Sequence, residues 1–244
     1  MNIEKKVISI LGCGRSGTSF LIKVLAANGV AVGRCTGGTL ENLDVRAIND
    51  AFLAYHFHAV KNSGMPYGIL PPGEIEVDDN TRRNAIHVID ELKHNSVSHC
   101  AFKDPRTTVL HHAWIDWVDY VIGVYRNPYE VADSYMKLLE SYYGNDPKNE
   151  EGYKNMLSYW KRFNQSLIHV FETTDKPKFM IDFNGNVNEQ IYKLFEFLDL
   201  TKINNSNDFD PNQKHQNVGP DLVLSDDLEQ TYKKLKNIKN DTSI

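Results

Sequence analysis

The chain has 244 residues, of which 41% are hydrophobic and 24% are charged, and its formal net charge is -5. This length and composition favour one sizeable α/β domain with a real core and argue against global disorder. The negative balance argues against a general nucleic-acid or anionic-membrane binder, because such a protein needs a basic face.

Short apolar runs alternate with amphipathic segments along the chain. The first run, residues 7–11, is rich in β-branched residues and ends in glycines, as a buried parallel strand does. The predicted strands are 7–11, 30–32, 100–102, 120–125 and 178–183, and the predicted helices are 18–28, 41–61, 81–94, 129–143, 151–171, 187–198 and 222–238. Segments 62–79 and 204–220 are predicted as loops. This alternation predicts a single α/β domain over residues 1–244, a three-layer sandwich with a central parallel sheet and helices on both faces.

A glycine-rich loop, Gly12-Cys13-Gly14-Arg15-Ser16-Gly17-Thr18-Ser19, lies between the first strand and the first helix. Its glycines let backbone N–H groups converge on an anion, and the next helix points its positive end there. The loop fits a dinucleotide fingerprint, and it also fits a P-loop in which Thr18 replaces the lysine. An NAD enzyme needs an acidic residue about 20 residues further on. This chain has Arg34 in that region, which leaves an NADP site open.

A second candidate phosphate site follows the predicted strand at 120–125. Arg126 ends the strand, Pro128 comes two residues later and Ser134 comes eight residues after the arginine. An arginine at the end of a strand is well placed to bind a phosphate through two hydrogen bonds. The Ser134 hydroxyl can contact the same oxygens. Two separate sites predict a ligand that carries phosphates at both ends of its ribose.

Together these motifs resemble those of sulfotransferases that use 3'-phosphoadenosine 5'-phosphosulfate (PAPS). The clear resemblance covers residues 7–28 and 99–139, and a weaker echo covers 178–200. It implies a fold like that of the P-loop NTPases, with the 5'-phosphosulfate on the first loop and the 3'-phosphate on the second site. The residues implied to bind the donor are Gly14, Arg15, Ser16, Gly17, Thr18, Ser19, Arg126 and Ser134.

Sulfuryl transfer needs cations at the leaving oxygen and a base at the acceptor. Arg15 is the first predicted cation and Lys103 is the second. Cytosolic members of the family carry a histidine two residues after this lysine, whereas this chain has Pro105. Tyrosylprotein and heparan branches use a glutamate shortly after the phosphosulfate helix. Glu41 matches that position and is predicted as the base.

Two histidines, His111 and His112, are the alternative bases, because an imidazole titrates near neutral pH. Adjacent residues on a helix point in different directions, so we expect at most one of them to face the site. Asp104 and Arg106 are expected to pair, and Lys214 and His215 are expected to close over the donor.

The three cysteines have no paired metal-ligand spacing, and the reaction needs no metal in principle, so no metal site is predicted. The sparse cysteines also favour a reducing compartment, and no apolar run is long enough to cross a bilayer. We therefore expect a cytoplasmic protein with neither a membrane span nor a nucleic-acid partner.

The sequence predicts an enzyme that moves a sulfuryl group from PAPS to a hydroxyl or amine acceptor, in line and without a metal. The product would be adenosine 3',5'-bisphosphate. The acceptor stays open between carbohydrate, lipid, peptide and small alcohol. A P-loop kinase of nucleotides or small molecules, and a non-catalytic nucleotide-binding interaction protein, are the alternatives.

Overall fold

A computed structural model describes residues 4–57, 70, 73–143, 150–201 and 225–241 of the chain. These residues form four strands, seven α-helices and three short 3-10 turns. The strands are β1 (Lys6–Gly12), β2 (His99–Lys103), β3 (Tyr120–Tyr125) and β4 (Lys178–Asp182). The helices are α1 (Thr18–Ala27), α2 (Leu43–Phe57), α3 (Asp79–His94), α4 (Pro128–Tyr143), α5 (Glu150–Thr173), α6 (Val187–Phe197) and α7 (Asp226–Asp241). The 3-10 turns are Pro105–Thr108, His111–Ala113 and Ile115–Trp117.

The four strands form one parallel sheet in the order β2-β1-β3-β4. β1 lies inside the sheet, where Ile8 pairs with Ala101 on one side and with Tyr120 on the other. Because all strands run the same way, their carboxyl ends share one edge. The strand order reverses direction beside β1, and ligands of open α/β sheets bind at such a point.

Strand residues alternate between two hydrophobic cores, one on each face of the sheet. Val7 and Leu11 belong to the core that is covered by α3, α4, α5 and α7, whereas Ile8 and Ile10 belong to the core beneath α1 and α6. This alternation follows from the two-residue repeat of a strand that is buried on both faces. The predicted three-layer sandwich with a parallel sheet is therefore confirmed.

Two of the differences between the predicted boundaries and the structure have clear local reasons. The predicted strand at 30–32 is a single bridge between Ala31 and Cys100, and Gly33 with φ 67° turns the chain away from the sheet just afterwards. α3 begins at Asp79 rather than at 81, because the Asp78 carboxylate accepts a hydrogen bond from the Thr81 N–H and caps the helix.

Several predictions fall wholly or partly outside the described residues. The predicted loop at 62–79 is described only at residue 70 and from 73 onward, and the start of the last predicted helix, at 222–224, is not described. Lys214 and His215 also lie outside the described ranges. None of the helices within those ranges combines the length and apolar character needed to cross a bilayer.

Candidate active site

The glycine-rich loop joins the end of β1 to the start of α1 through an unusual backbone. Arg15 has φ 66° and Gly17 has φ 102°, so both lie in the left-handed region. A side chain at position 17 is excluded, because its Cβ would stand 2.3 Å from the Phe183 ring. A left-handed arginine costs free energy, and such strain concentrates at functional sites. The local backbone therefore fits an anion-binding loop better than an ordinary strand-to-helix turn.

Close packing against α4 explains the glycine at position 14. A Cβ there would stand 2.1 Å from the Tyr135 hydroxyl, which itself donates to the Tyr159 hydroxyl at 3.0 Å. The loop thus lies directly against two tyrosines, and any larger residue at this position would push it outward.

Thr108 fixes the point where the loop begins. Its Oγ1 accepts a hydrogen bond from the Gly12 N–H at 2.8 Å and donates to the Gly12 carbonyl at 3.1 Å. Thr108 is fully buried, so the two bonds satisfy groups that water cannot reach. This contact could not be predicted from the sequence, because 96 residues separate the partners.

Lys103 ends β2 and reaches the glycine-rich loop from the neighbouring strand. Its buried Nζ lies 3.2 Å from Ser19 Oγ and 3.5 Å from Glu41 Oε1. Burial lowers the pKa of Lys103, while the carboxylates of Glu41 and Asp104 oppose that shift. The structure thus brings together three residues that the sequence had singled out separately. We refer to Ser19, Glu41 and Lys103 as the lysine cluster.

Glu41 stands just before α2 rather than in its first turn. The helix begins at Leu43 because the Asn42 side chain accepts hydrogen bonds from the N–H groups of Asp44 and Val45. The Asn42 N–H donates to the Lys103 carbonyl at 3.1 Å, which ties this segment to the end of β2. The position of Glu41 beside the lysine therefore comes from backbone contacts as well as from charge.

Two arginines also approach the Glu41 carboxylate. Arg46 Nη1 lies 3.5 Å from it and Arg106 Nη1 lies 3.9 Å from it. Arg106 makes the expected pair with Asp104 at 2.5 Å and a second ion pair with Asp50 at 2.7 Å. Burial raises the pKa of Asp104, and the Arg106 guanidinium opposes that shift. These ion pairs form a charge network beside Lys103 and Glu41. Only its Asp104–Arg106 pair was predicted from the sequence.

Arg126 ends β3 as expected, but its guanidinium is already engaged. Its Nε donates to Glu130 Oε2 at 2.8 Å, and its Nη2 lies 2.7 Å from the same oxygen. The group also lies 5.8 Å from the centre of the Phe183 ring. The role of Glu130 was not predicted, although its spacing of four residues from Arg126 was the available signal.

Arg15 connects the two candidate phosphate sites. Its Nε donates a hydrogen bond to Ser134 Oγ at 2.9 Å, across 119 residues of sequence. Ser134 is buried on α4, whereas Arg15 is largely exposed. This bond brings the glycine-rich loop next to the Arg126/Ser134 stretch at the carboxyl edge of the sheet.

The alternative bases lie in different surroundings from Glu41. His111 and His112 occupy a three-residue 3-10 turn, and their ring centres are 4.1 Å apart, although we expected the side chains to point in different directions. The His111 Nδ1–H donates to the Thr108 carbonyl at 3.3 Å, while His112 contacts Glu74. Of the three candidate bases, Glu41 is the one that contacts the lysine at the glycine-rich loop.

Comparisons with known proteins agree on the fold. No protein-family model matches the chain, and no curated protein matches it in sequence. Sulfotransferase STF9 from Mycobacterium avium superimposes with a TM-score of 0.50 and 14% identity, over 97% of this chain and 68% of that one. This chain therefore has the fold of a sulfotransferase, and the predicted P-loop-like α/β architecture is confirmed.

Two further solved structures align over most of the chain with lower TM-scores. The sulfotransferase domain from the curacin biosynthetic pathway has a TM-score of 0.49 and 16% identity, covering 99% of both chains. Sulfotransferase STF1 from Mycobacterium tuberculosis H37Rv has a TM-score of 0.44 and 12% identity, covering 99% of this chain and 77% of that one.

Proposed function

We propose that this protein transfers a sulfuryl group from PAPS to a hydroxyl or amine acceptor. The observation that carries the proposal is the position of Lys103 Nζ, 3.2 Å from Ser19 Oγ and 3.5 Å from Glu41 Oε1. A donor phosphate on the loop, a cation for the leaving oxygen and a base for the acceptor must be neighbours in this reaction. In the lysine cluster a hydroxyl next to the glycine-rich loop, a lysine and a carboxylate are neighbours, and this arrangement supports the proposal.

In this proposal the 5'-phosphosulfate binds the backbone N–H groups of the glycine-rich loop and the hydroxyls of Thr18 and Ser19. The 3'-phosphate binds Arg126 and Ser134. Arg126 would exchange its contacts with one oxygen of Glu130 for hydrogen bonds to a phosphate, which can accept two from a guanidinium. Ser134 already accepts a hydrogen bond from Arg15, so a phosphate bound at Ser134 would have Arg15 as a neighbour.

The transfer step uses only groups of this chain and the two substrates. The acceptor oxygen or nitrogen forms a bond to sulfur while its proton passes to Glu41. In the same step the bond between sulfur and the bridging oxygen of the 5'-phosphate breaks. The electron pair stays on that oxygen, and Lys103 and Arg15 stabilise the charge. Because two side-chain cations serve the leaving group, the proposed step needs no metal ion.

Calorimetry with adenosine 3',5'-bisphosphate in excess EDTA tests donor binding. We expect saturable one-to-one binding that is weakened at least tenfold by Arg126→Met, since a buried charged hydrogen-bond donor is lost. The matched control is Arg83→Met, which removes an exposed arginine on α3. Absence of binding would overturn the proposal, and magnesium-dependent binding of ATP instead would favour a P-loop kinase.

Transfer itself is tested with PAPS labelled in the sulfuryl group and a panel of carbohydrate, lipid, peptide and small-alcohol acceptors. The expected result is label on at least one acceptor, with release of the bisphosphate. Tight bisphosphate binding without transfer to any member of the panel would instead support a non-catalytic nucleotide-binding protein.

A further inference from the structure

A second cluster of polar side chains adjoins Thr108, the residue that holds the start of the glycine-rich loop. Three histidines and a glutamate, His111, His112, His169 and Glu74, form this histidine cluster. One ring nitrogen from each histidine lies within 4.8 Å of the other two. The Glu74 carboxylate lies 3.1 Å from His112 Nε2 and 2.5 Å from His169 Nε2. Four potential metal-ligating groups from three separate segments therefore meet at one place.

The buried member of the cluster has an unused nitrogen. His111 is 5% exposed, and its Nε2 has no hydrogen-bond partner among the residues that the structure describes. Its Nδ1–H donates to the Thr108 carbonyl, which leaves the lone pair on Nε2. A buried polar atom without a partner is unfavourable, so its presence here requires an explanation.

Ion pairing explains only part of this arrangement. Contacts with Glu74 explain the positions of His112 and His169, whether those rings are neutral or protonated. They do not account for His111 Nε2, which faces no acceptor or donor among the described residues.

We propose that the histidine cluster binds one divalent transition-metal ion, best fitted by zinc, through His111, His112, His169 and Glu74. Imidazole with a single carboxylate suits zinc and similar ions, whereas magnesium and calcium prefer oxygen ligands throughout. Tetrahedral zinc with bonds of about 2.0–2.1 Å separates its ligand atoms by about 3.3 Å. The Glu74–His112 separation of 3.1 Å is already close to that value.

The second contact of His111 fits the same assignment. Metal-bound histidines usually donate their other ring N–H to a carbonyl or carboxylate, which fixes the orientation of the ring. The Thr108 carbonyl occupies that place for His111.

Four protein ligands fill a tetrahedral site, so the ion would have a structural rather than a catalytic place. It would cross-link the segment before α3, the 3-10 turn His111–Ala113 and helix α5. The site is separate from the proposed sulfuryl transfer, and its test needs neither donor nor acceptor.

The test adds zinc chloride to chelator-treated, desalted protein and measures bound metal by mass spectrometry and affinity by competition with a colorimetric chelator. We expect one zinc ion per chain and an affinity weakened at least tenfold in His169→Gln and in Glu74→Gln. Even the loss of an outer partner of a metal ligand costs roughly 10–100-fold. His87→Gln removes an exposed histidine of α3 and should bind zinc like the unaltered chain.

Two results would overturn the proposal: no zinc above the level of the buffer, or equal affinity in His87→Gln and His169→Gln, which would mean adventitious binding only. Cobalt provides a readout that does not depend on the folding of variants. The unaltered protein with cobalt should show the intense visible absorption of tetrahedral coordination. A weak octahedral spectrum would contradict the assigned ligand set.

Discussion

The lysine cluster and the histidine cluster are built in opposite ways. The lysine cluster stands where two neighbouring parallel strands, β1 and β2, come to an end, so the sheet itself brings its members together. The histidine cluster takes side chains from a loop, a 3-10 turn and a helix that share no strand edge. A site built where strands end can be found in the sequence, because strands and glycine-rich loops are local signals, whereas a site built from scattered side chains leaves no such signal.

The two clusters also offer opposite charges to a ligand. Around the glycine-rich loop, Arg15 and Lys103 join the backbone N–H groups, and this combination is the one proposed to bind an anion. Around Glu74, three imidazoles join a carboxylate, and this combination is the one proposed to bind a cation. Substitutions in one cluster should therefore leave the ligand of the other cluster largely unaffected.

The largest expected effect is on turnover in Glu41→Gln. The amide cannot take the acceptor's proton, so we expect kcat to fall by about 10²–10⁴ while bisphosphate affinity stays unchanged. Initial rates with labelled PAPS, together with calorimetry, measure the two quantities. Glu229→Gln, an equivalent change on the exposed face of α7, serves as the control. Unchanged kcat in Glu41→Gln would show that Glu41 is not the base. The base would then be His111 or His112, and the two clusters would not have separate functions.

Next in size is the effect of Lys103→Met. The methionine keeps much of the volume but removes the cation at the leaving oxygen, and we expect kcat to fall by about 10²–10³. Lys193→Met removes a half-exposed lysine of α6 and should act like the unaltered chain. Zinc affinity should not change in either variant. A loss of zinc binding in Lys103→Met would show that the two clusters are not independent.

A smaller effect is expected from Ser134→Ala. This change removes the hydroxyl that accepts from Arg15 and that is proposed to contact the 3'-phosphate. Since a hydrogen bond to a charged group is worth about 1.5–3 kcal/mol, bisphosphate affinity should fall by about tenfold or more. Calorimetry against Ser158→Ala, an exposed serine on α5, checks it. Equal affinity in the two variants would remove Ser134 from the donor site.

The smallest expected effect concerns the segment that carries Glu74. Asp78 caps α3 four residues later, and Asp78→Ala should lower the free energy of unfolding by about 0.5–2 kcal/mol. Asp79→Ala, which keeps the cap, is the control for chemical denaturation. The Thr81 N–H bond lowers the pKa of Asp78, so this contribution is present above pH about 4 and is lost as the pH falls further. Equal free energies of unfolding for Asp78→Ala and Asp79→Ala would contradict the capping role of Asp78.

The sequence predicted the parallel sheet and the edge on which the candidate site lies, because apolar runs and glycines are local signals. The positions of Lys103 and Arg126 at strand ends followed from the same signals, and β2 and β3 both pair with β1. Contacts that depend on tertiary packing could not be predicted. Thr108 reaches Gly12 across 96 residues, and His169 reaches Glu74 only because α5 packs beside the segment before α3.

Thr108 links the glycine-rich loop to the histidine cluster, and this link has a consequence for local unfolding. Thr108 contacts both main-chain polar groups of Gly12 through its hydroxyl, and its carbonyl accepts from His111. The Gly12 amide can exchange its hydrogen with solvent only after its hydrogen bond to Thr108 breaks. Thr108 in turn is restrained by its hydrogen bond with the His111 imidazole. An opening that exposes the first residue of the glycine-rich loop would thus also disturb the histidines, as one cooperative unit. The rate of hydrogen exchange at the Gly12 amide in deuterated water would then change when the histidine cluster is disturbed.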